Sequence, residues 1–102
     1  MDVHQFRALA LSFPDVTETP HFERTSFRYR KKIFATLSEK EGLACLMLTP
    51  EDQDVFVAMG KPAVYPVPNK WGEKGATYVD LNEVNRDLLA DALEAAFRKI
   101  RS

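Results

Sequence analysis

The sequence predicts an α+β domain in which an antiparallel sheet carries helices on one face. Two observations lead to this class. Residues 24–48 contain three strand-like segments joined by short links, and such strands are antiparallel by default. Segments with helical periodicity precede, interrupt and follow the strands, which gives the order α-β-β-β-α-β-α. A chain of 102 residues can bury one core, so residues 1–102 are predicted to form a single domain.

The first predicted helix covers "DVHQFRALALS", from Asp2 to Ser12. Asp2 can cap it, with Gln5 three residues later as in a capping box, and Pro14 ends it. Its apolar positions recur at helical spacing: Val3, Phe6, Leu9, Ala10 and Phe13. The following residues, 15–23, contain Pro20 and are expected to form a polar connection.

The segment "RTSFRYR", residues 24–30, alternates between two kinds of side chain. Thr25, Phe27 and Tyr29 would face the core. The other side would be a wet, basic face formed by Arg24, Ser26, Arg28 and Arg30. Lys31 and Lys32 are expected to form a hairpin connection. Strands 33–38 and 43–48 follow, joined by "EKEG".

The second half of the chain predicts two helices around one strand. Thr49 as cap, Pro50 at the first position and Gly60 at the end predict a helix. Its apolar side is expected to consist of Val55, Phe56 and Met59. Residues 61–68 contain three prolines and cannot be a central strand or a helix. "ATYVDL" is the final strand, and a helix runs from about residue 82 with the apolar stripe Leu88, Leu89, Ala92, Leu93, Ala96, Phe97 and Ile100. Arg98, Lys99 and Arg101 complement the dipole of that helix.

Composition narrows the classes of function. The formal net charge is −1, which argues against a dedicated nucleic-acid binder but not against a local basic patch. No apolar stretch approaches the ~18 residues of a membrane span, and the first residues do not resemble a signal peptide. The single cysteine, Cys45, is expected to be a small buried hydrophobe in a reducing cytoplasm.

No catalytic constellation is visible, so the domain is expected to be non-enzymatic, with no metal and no cofactor. His4 and His21 have no partner at metal-ligand spacing, and no phosphate-cradling glycine loop occurs. The acidic cluster at residues 51–54 is better explained by the dipole of its helix.

The basic residues of the first hairpin are the main candidates for contact with an anion. Alternate arginines on a strand project ~7 Å apart, near the spacing of successive phosphates in a nucleic acid. The alternative is a charged face that prevents aggregation of the sheet.

Trp71, the only tryptophan, lies in the loop "PNKWGEKG" and has three interpretations. It could be an exposed platform for a base, beside Lys70 and Lys74. It could be one wall of a ligand pocket with Tyr65 and Tyr78. The favoured interpretation is a buried anchor that covers one end of the core, because an indole removes a large apolar area from water.

Several segments together resemble the MmcQ/YjbR-like family. They are "LALSFPDVTETPHF", "FRYRKKIFATL", "LTPEDQDVFV" and "VYPVPNKWGEKGATYVDL", followed by the closing amphipathic helix. The resemblance covers essentially the whole chain and implies a CyaY/frataxin-like fold. It also implies DNA binding through the "double wing" arrangement proposed for the family. Iron handling of the frataxin kind is not implied, because only Asp2 is acidic in the first helix.

Two hypotheses of function follow from the residues and the resemblance. The first is weak, phosphate-dominated binding of DNA through Arg24, Arg28, Arg30, Lys31, Lys32, Lys70, Trp71 and Lys74. The second is a protein- or small-ligand-binding module with a pocket near Tyr65, Trp71 and Tyr78.

Overall fold

The computed structural model describes all residues, 1–102, and contains four helices and six strands. The elements are α1 (Val3–Leu11), β1 (Val16–His21), β2 (Arg24–Tyr29), β3 (Lys32–Ser38), β4 (Leu43–Met47), α2 (Pro50–Gly60), β5 (Val64–Pro66), α3 (Lys70–Glu73), β6 (Ala76–Asp80) and α4 (Arg86–Arg101). None of the helices combines the length and the apolar character that crossing a bilayer requires.

The six strands form one antiparallel sheet in the order β1-β2-β3-β4-β6-β5. A register shift between Phe27 and Arg28 makes the pairing of β2 with β3 irregular. The α+β class is therefore confirmed, and so is the predicted order of the main helices and strands. Two edge strands and a short helix are additional to the prediction.

The core lies between one face of the sheet and α1, α2 and α4. The register places Phe27 opposite Ala35 and Ala35 opposite Leu46, and all three are fully buried in one apolar cluster. The predicted stripe of α4 is buried against them, with Leu93 and Phe97 at its centre. Residues of β4 alternate between faces, and Ala44 and Leu46 belong to this core. In β3 the register shift leaves Phe34 as an extra residue, so the consecutive residues Phe34 and Ala35 both reach the core.

Local signals at the helix starts behave as the sequence predicts. Asp2 and Gln5 form a complete capping box, in which Asp2 Oδ1 accepts from the Gln5 backbone at 2.8 Å. The hydroxyl of Thr49 caps α2 by accepting from the backbone of Asp52 at 3.0 Å. α4 begins at Arg86, later than predicted, because Asn85 takes the cap position.

The polar segment after α1 is a strand, and its interpretation as a connection was wrong. Residues 16–21 form β1 and pair with β2 along its whole length. Pro20 is tolerated because β1 is an edge strand, where a missing backbone donor interrupts no inner ladder. The proline-rich segment contributes only β5, a short strand at the opposite edge, in agreement with its exclusion from the sheet centre.

The predicted apolar side of α2 is also partly wrong. Val55 and Met59 are 51% and 68% exposed, whereas Phe56 is partly buried. The buried residue of this helix is Gln53. The helix turns this polar side chain inward because its amide finds acceptors there, which hydropathy spacing does not reveal.

Candidate functional site

The face of the sheet opposite the helices, called here the open face, has a small apolar centre of its own. Cys45 and Ala76 are buried there, and Met47 and Tyr78 pack against them while remaining partly exposed. Cys45 pairs with Thr36 on one side and with Tyr78 on the other.

The predicted arginine stripe is only partly present on the open face. Arg24 and Arg28 lie on β2 and are half-buried, and Ser26 between them is completely buried. The Arg28 Nε donates to Ser26 Oγ at 3.3 Å. Arg30 is not part of the strand: it occupies the turn after β2 with a φ of 59°. The prediction of a wet, regular basic face was therefore wrong, because the strand ends before Arg30 and Ser26 is buried, with its hydroxyl hydrogen-bonded to Arg28 and to the Thr19 carbonyl.

One end of the molecule collects cations from distant parts of the sequence. The turn residues Arg30, Lys31 and Lys32 line a groove of about 450 Å³ together with Ile100 and Arg101 of α4. The turn and the last turn of α4 meet here because α4 packs along β2 and β3.

A second groove continues this surface. It measures about 240 Å³ and is lined by Trp71 and Lys74 together with Lys99 and Ile100, so that Ile100 borders both grooves. The basic end is defined here by its six cations, which are Arg30, Lys31, Lys32, Lys74, Lys99 and Arg101. Lys99 and Arg101 were not predicted as site residues. Their favourable interaction with the dipole of the last helix already explained two cations at that end of the sequence.

The cations of the basic end have no carboxylate partner. The structure has three salt bridges, formed by Arg7 with Glu18 and Glu39 and by Arg98 with Glu94. Three of the basic-end cations lie over aromatic rings instead, in the pairs Arg30–Tyr29 at 5.2 Å, Lys74–Trp71 at 5.4 Å and Arg101–Phe97 at 5.4 Å. Such contacts orient a cation without neutralising it, so the charge remains available to an anion.

Trp71 is 66% exposed, which overturns its interpretation as a buried anchor. The glycines beside it take the inner positions. A Cβ on Gly72 would lie 1.7 Å from the Val67 carbonyl oxygen, and one on Gly75 would lie 1.9 Å from the Leu48 oxygen. Because only glycine permits these approaches, the backbone fills the space and the indole points outward.

Hydrogen bonds hold the short helix that carries Trp71. The Trp71 backbone donates to Asn69 Oδ1 at 2.8 Å, which caps α3. The buried Gln53 Nε2 lies 2.9 Å from the Gly72 oxygen and 3.0 Å from the Ala76 oxygen. Gln53 thus connects α2 to α3 and to the first residue of β6, and these hydrogen bonds fix the backbone that carries the exposed ring.

Trp71 also borders a third depression, the sheet-face groove, which lies on the open face and measures about 340 Å³. The lining residues that carry its chemistry are His21, Arg24, Cys45, Met47, Trp71 and Tyr78. Arg24 thus belongs to this groove and not to the basic end. Tyr65 lines none of it and instead contacts the ring of Tyr78 at 5.7 Å, so two of the three residues predicted to wall a pocket lie together.

The remaining candidates are separate from these grooves. Lys70 is exposed on α3, and neither Lys70 nor Arg28 lines any of the three grooves. Burial raises the pKa of the Cys45 thiol, against the opposing effect of the nearby Arg24 charge. No group of three or more His, Cys, Asp or Glu side chains is placed to hold a metal ion.

Comparison with known proteins places the chain within a family. A family model described as YjbR matches residues 11–99, and the chain belongs to the YjbR family, as the resemblance implied. A Deinococcus radiodurans protein with a DUF419 domain has a similar solved structure, with a TM-score of 0.81 and 21% identity over 99% of this chain and 79% of that one.

A second similar structure is that of a protein from Pseudomonas syringae. It has a TM-score of 0.74 and 23% identity, and the similarity covers 99% of this chain and 100% of that one. At these identities the likeness establishes the fold alone. No curated protein matches the sequence.

Proposed function

We propose that this YjbR-family domain is a non-enzymatic cytoplasmic module that binds DNA weakly through its phosphates at the basic end. The observation that carries the proposal is the convergence of six cations from three separate segments on one end of the fold, none of them in a salt bridge. The other four residues predicted for DNA contact have a smaller part: Trp71 borders the basic end, whereas Arg24, Arg28 and Lys70 lie outside it.

Phosphate contact fits the charges better than recognition of bases. A net charge of −1 means that the rest of the domain carries an excess of acid, so attraction to DNA must be local and oriented. Lysines and arginines on flexible stems suit phosphate oxygens, which carry no sequence information. The proposal therefore expects low affinity and little preference among DNA sequences.

The experiment is a titration of fluorescently labelled duplex DNA at several salt concentrations, starting near about 50 mM. Six phosphate contacts give a log–log slope of binding against salt of roughly −5. The variant with Lys32→Gln, Lys74→Gln and Lys99→Gln should bind more weakly, and its slope should be shallower by roughly 3.

The matched control removes three exposed cations outside the basic end, in the variant Lys40→Gln, Lys61→Gln and Arg86→Gln. Arg86 begins the helix that Arg101 ends, about 22 Å away at the α-helical rise. Both variants remove three positive charges, so a difference between them reports where the charges lie. Only the variant of the basic end should change the slope of binding against salt. The absence of binding at low salt, or equal weakening by both variants, contradicts the proposal.

A further inference from the structure

The sheet-face groove has features that the DNA proposal does not use. It runs across the open face, from Arg24 on β2 over Cys45 on β4 to Tyr78 on β6. Neighbouring strands lie about 4.8 Å apart, so the groove spans three strand spacings, or about 14 Å. Its volume of about 340 Å³ is at the lower end of the range of small-molecule sites.

The lining of the groove is aromatic and apolar at one end. Trp71 is 66% exposed, and Tyr78, which lines the same groove, is partly exposed. Met47 lines the groove with them and adds a polarisable apolar surface. Flat rings of this kind favour another flat ring, either stacked or edge-on.

The other end of the groove is cationic. Arg24 is the only residue of its lining with a permanent charge, and no carboxylate lines the groove. Arg24 takes part in no salt bridge, although it also lines a separate depression together with Glu23 and Glu41. A guanidinium presents paired donors that match the two oxygens of a carboxylate.

We propose that the sheet-face groove binds a small planar aromatic molecule that carries a carboxylate. The ring lies against Trp71 and Tyr78, and the carboxylate accepts hydrogen bonds from Arg24. Charge complementarity and an aromatic wall support this ligand. The charge comes from Arg24, which is not one of the six cations of the basic end, although Trp71 borders both surfaces.

The chain itself offers a clean reporter. Trp71 is the only tryptophan, so the protein has a single indole N–H signal in a ¹H–¹⁵N spectrum. The probe is 2-naphthoate, and its neutral counterpart 2-naphthamide has the same rings without the negative charge. We expect 2-naphthoate to shift the indole signal in a saturable manner and to bind about tenfold more tightly than the amide, a difference of about 1.4 kcal/mol.

Arg24→Gln tests the residue that provides the preference. This substitution keeps a polar side chain of intermediate length and should remove the difference between acid and amide while leaving ring binding in place. Arg28→Gln is the matched control, because Arg28 lies on the same strand and the same face but does not line the groove. The dispersion of the other amide signals shows that each variant is folded.

Three results would overturn the proposal. They are equal binding of acid and amide, an acid preference that survives Arg24→Gln, and the absence of a saturable shift of the indole signal. A single-stranded oligothymidine serves as the competing probe. If it shifts the indole signal in an Arg24-dependent manner and 2-naphthoate does not, the groove accepts a base of a nucleic acid, and the proposal is wrong.

Discussion

The two faces of the sheet are built from the same strands and serve different purposes. On the covered face Phe27, Leu46 and Val79 are excluded from water by α1 and α4. On the open face Met47 and Tyr78 stay partly exposed, although they alternate with these core residues along β4 and β6. A period of two therefore assigns side chains to faces, and the helices determine which face becomes the core.

The largest expected effect on the free energy of unfolding comes from comparing two large aromatic residues, one on each face of the sheet. Phe97 stacks on Phe13 at 4.6 Å and contacts Tyr29 and Phe34 edge-on, so Phe97→Ala should lower the free energy of unfolding by about 3–5 kcal/mol. Trp71→Ala removes a larger ring, but that ring is mostly exposed to water. The free energy of unfolding should therefore change by less than about 0.5 kcal/mol. Urea unfolding followed by circular dichroism measures both values.

Comparable losses of stability in Phe97→Ala and Trp71→Ala would contradict this expectation. They would mean that the indole of Trp71 stabilises the fold and that the exposed ring is not free to meet a ligand.

Much of the fold could be predicted from the sequence because its signals are local. The alternation of Thr25, Phe27 and Tyr29 and the cap formed by Thr49 depend on neighbours a few residues away. β1 escaped prediction because its polar residues and Pro20 fit a loop equally well. Only the pairing with β2 makes the segment a strand.

The candidate site could be predicted only in part, because tertiary packing assembles it. The hairpin cations and Lys74 were identified, but their connection through Lys99 and Arg101 depends on where α4 ends. The expectation for Trp71 rested on the area of an indole, and the close packing of Gly72 against the backbone is what turns that ring outward. Such steric effects act between residues and leave no periodic pattern in a sequence.

A smaller effect on the free energy of unfolding is expected from removing the hydroxyl of either of two neighbouring residues of β6, whose side chains lie on opposite faces of the sheet. Thr77 is fully buried, and its hydroxyl donates to the Gly75 oxygen at 2.8 Å and accepts from Gln53 Nε2 at 3.2 Å. Thr77→Val should therefore cost about 1–2 kcal/mol, because it removes two buried hydrogen bonds. Gln53 Nε2 keeps its bonds to the Gly72 and Ala76 oxygens, and the Gly75 oxygen still accepts from the Leu48 backbone. Tyr78→Phe, one residue away on the open face, should stay within about 0.5 kcal/mol.

The same urea unfolding experiment distinguishes the two hydroxyls, and both variants keep nearly the volume of the original side chain. If Tyr78→Phe proved as costly as Thr77→Val, the open face would contribute to stability in the same way as the covered face.

The smallest effect concerns Cys45, which is buried at the centre of the open face. Burial raises the pKa of its thiol in the folded protein, with Arg24 and a hydrogen bond from the Thr77 backbone opposing. At a pH above the ordinary thiol pKa of about 8.5, the unfolded chain loses this proton before the folded chain does. The contribution of the buried thiol to the free energy of unfolding is therefore complete below that pH and is lost as the pH rises through the folded pKa.

We expect the free energy of unfolding to fall more steeply between about pH 8 and about pH 10 for the wild type than for Cys45→Ala, because only the wild type has a thiol to ionise. Parallel curves would show that water reaches this thiol in the folded protein as easily as in the unfolded chain. The centre of the open face would then be wet, and the two faces would differ more than their burial suggests.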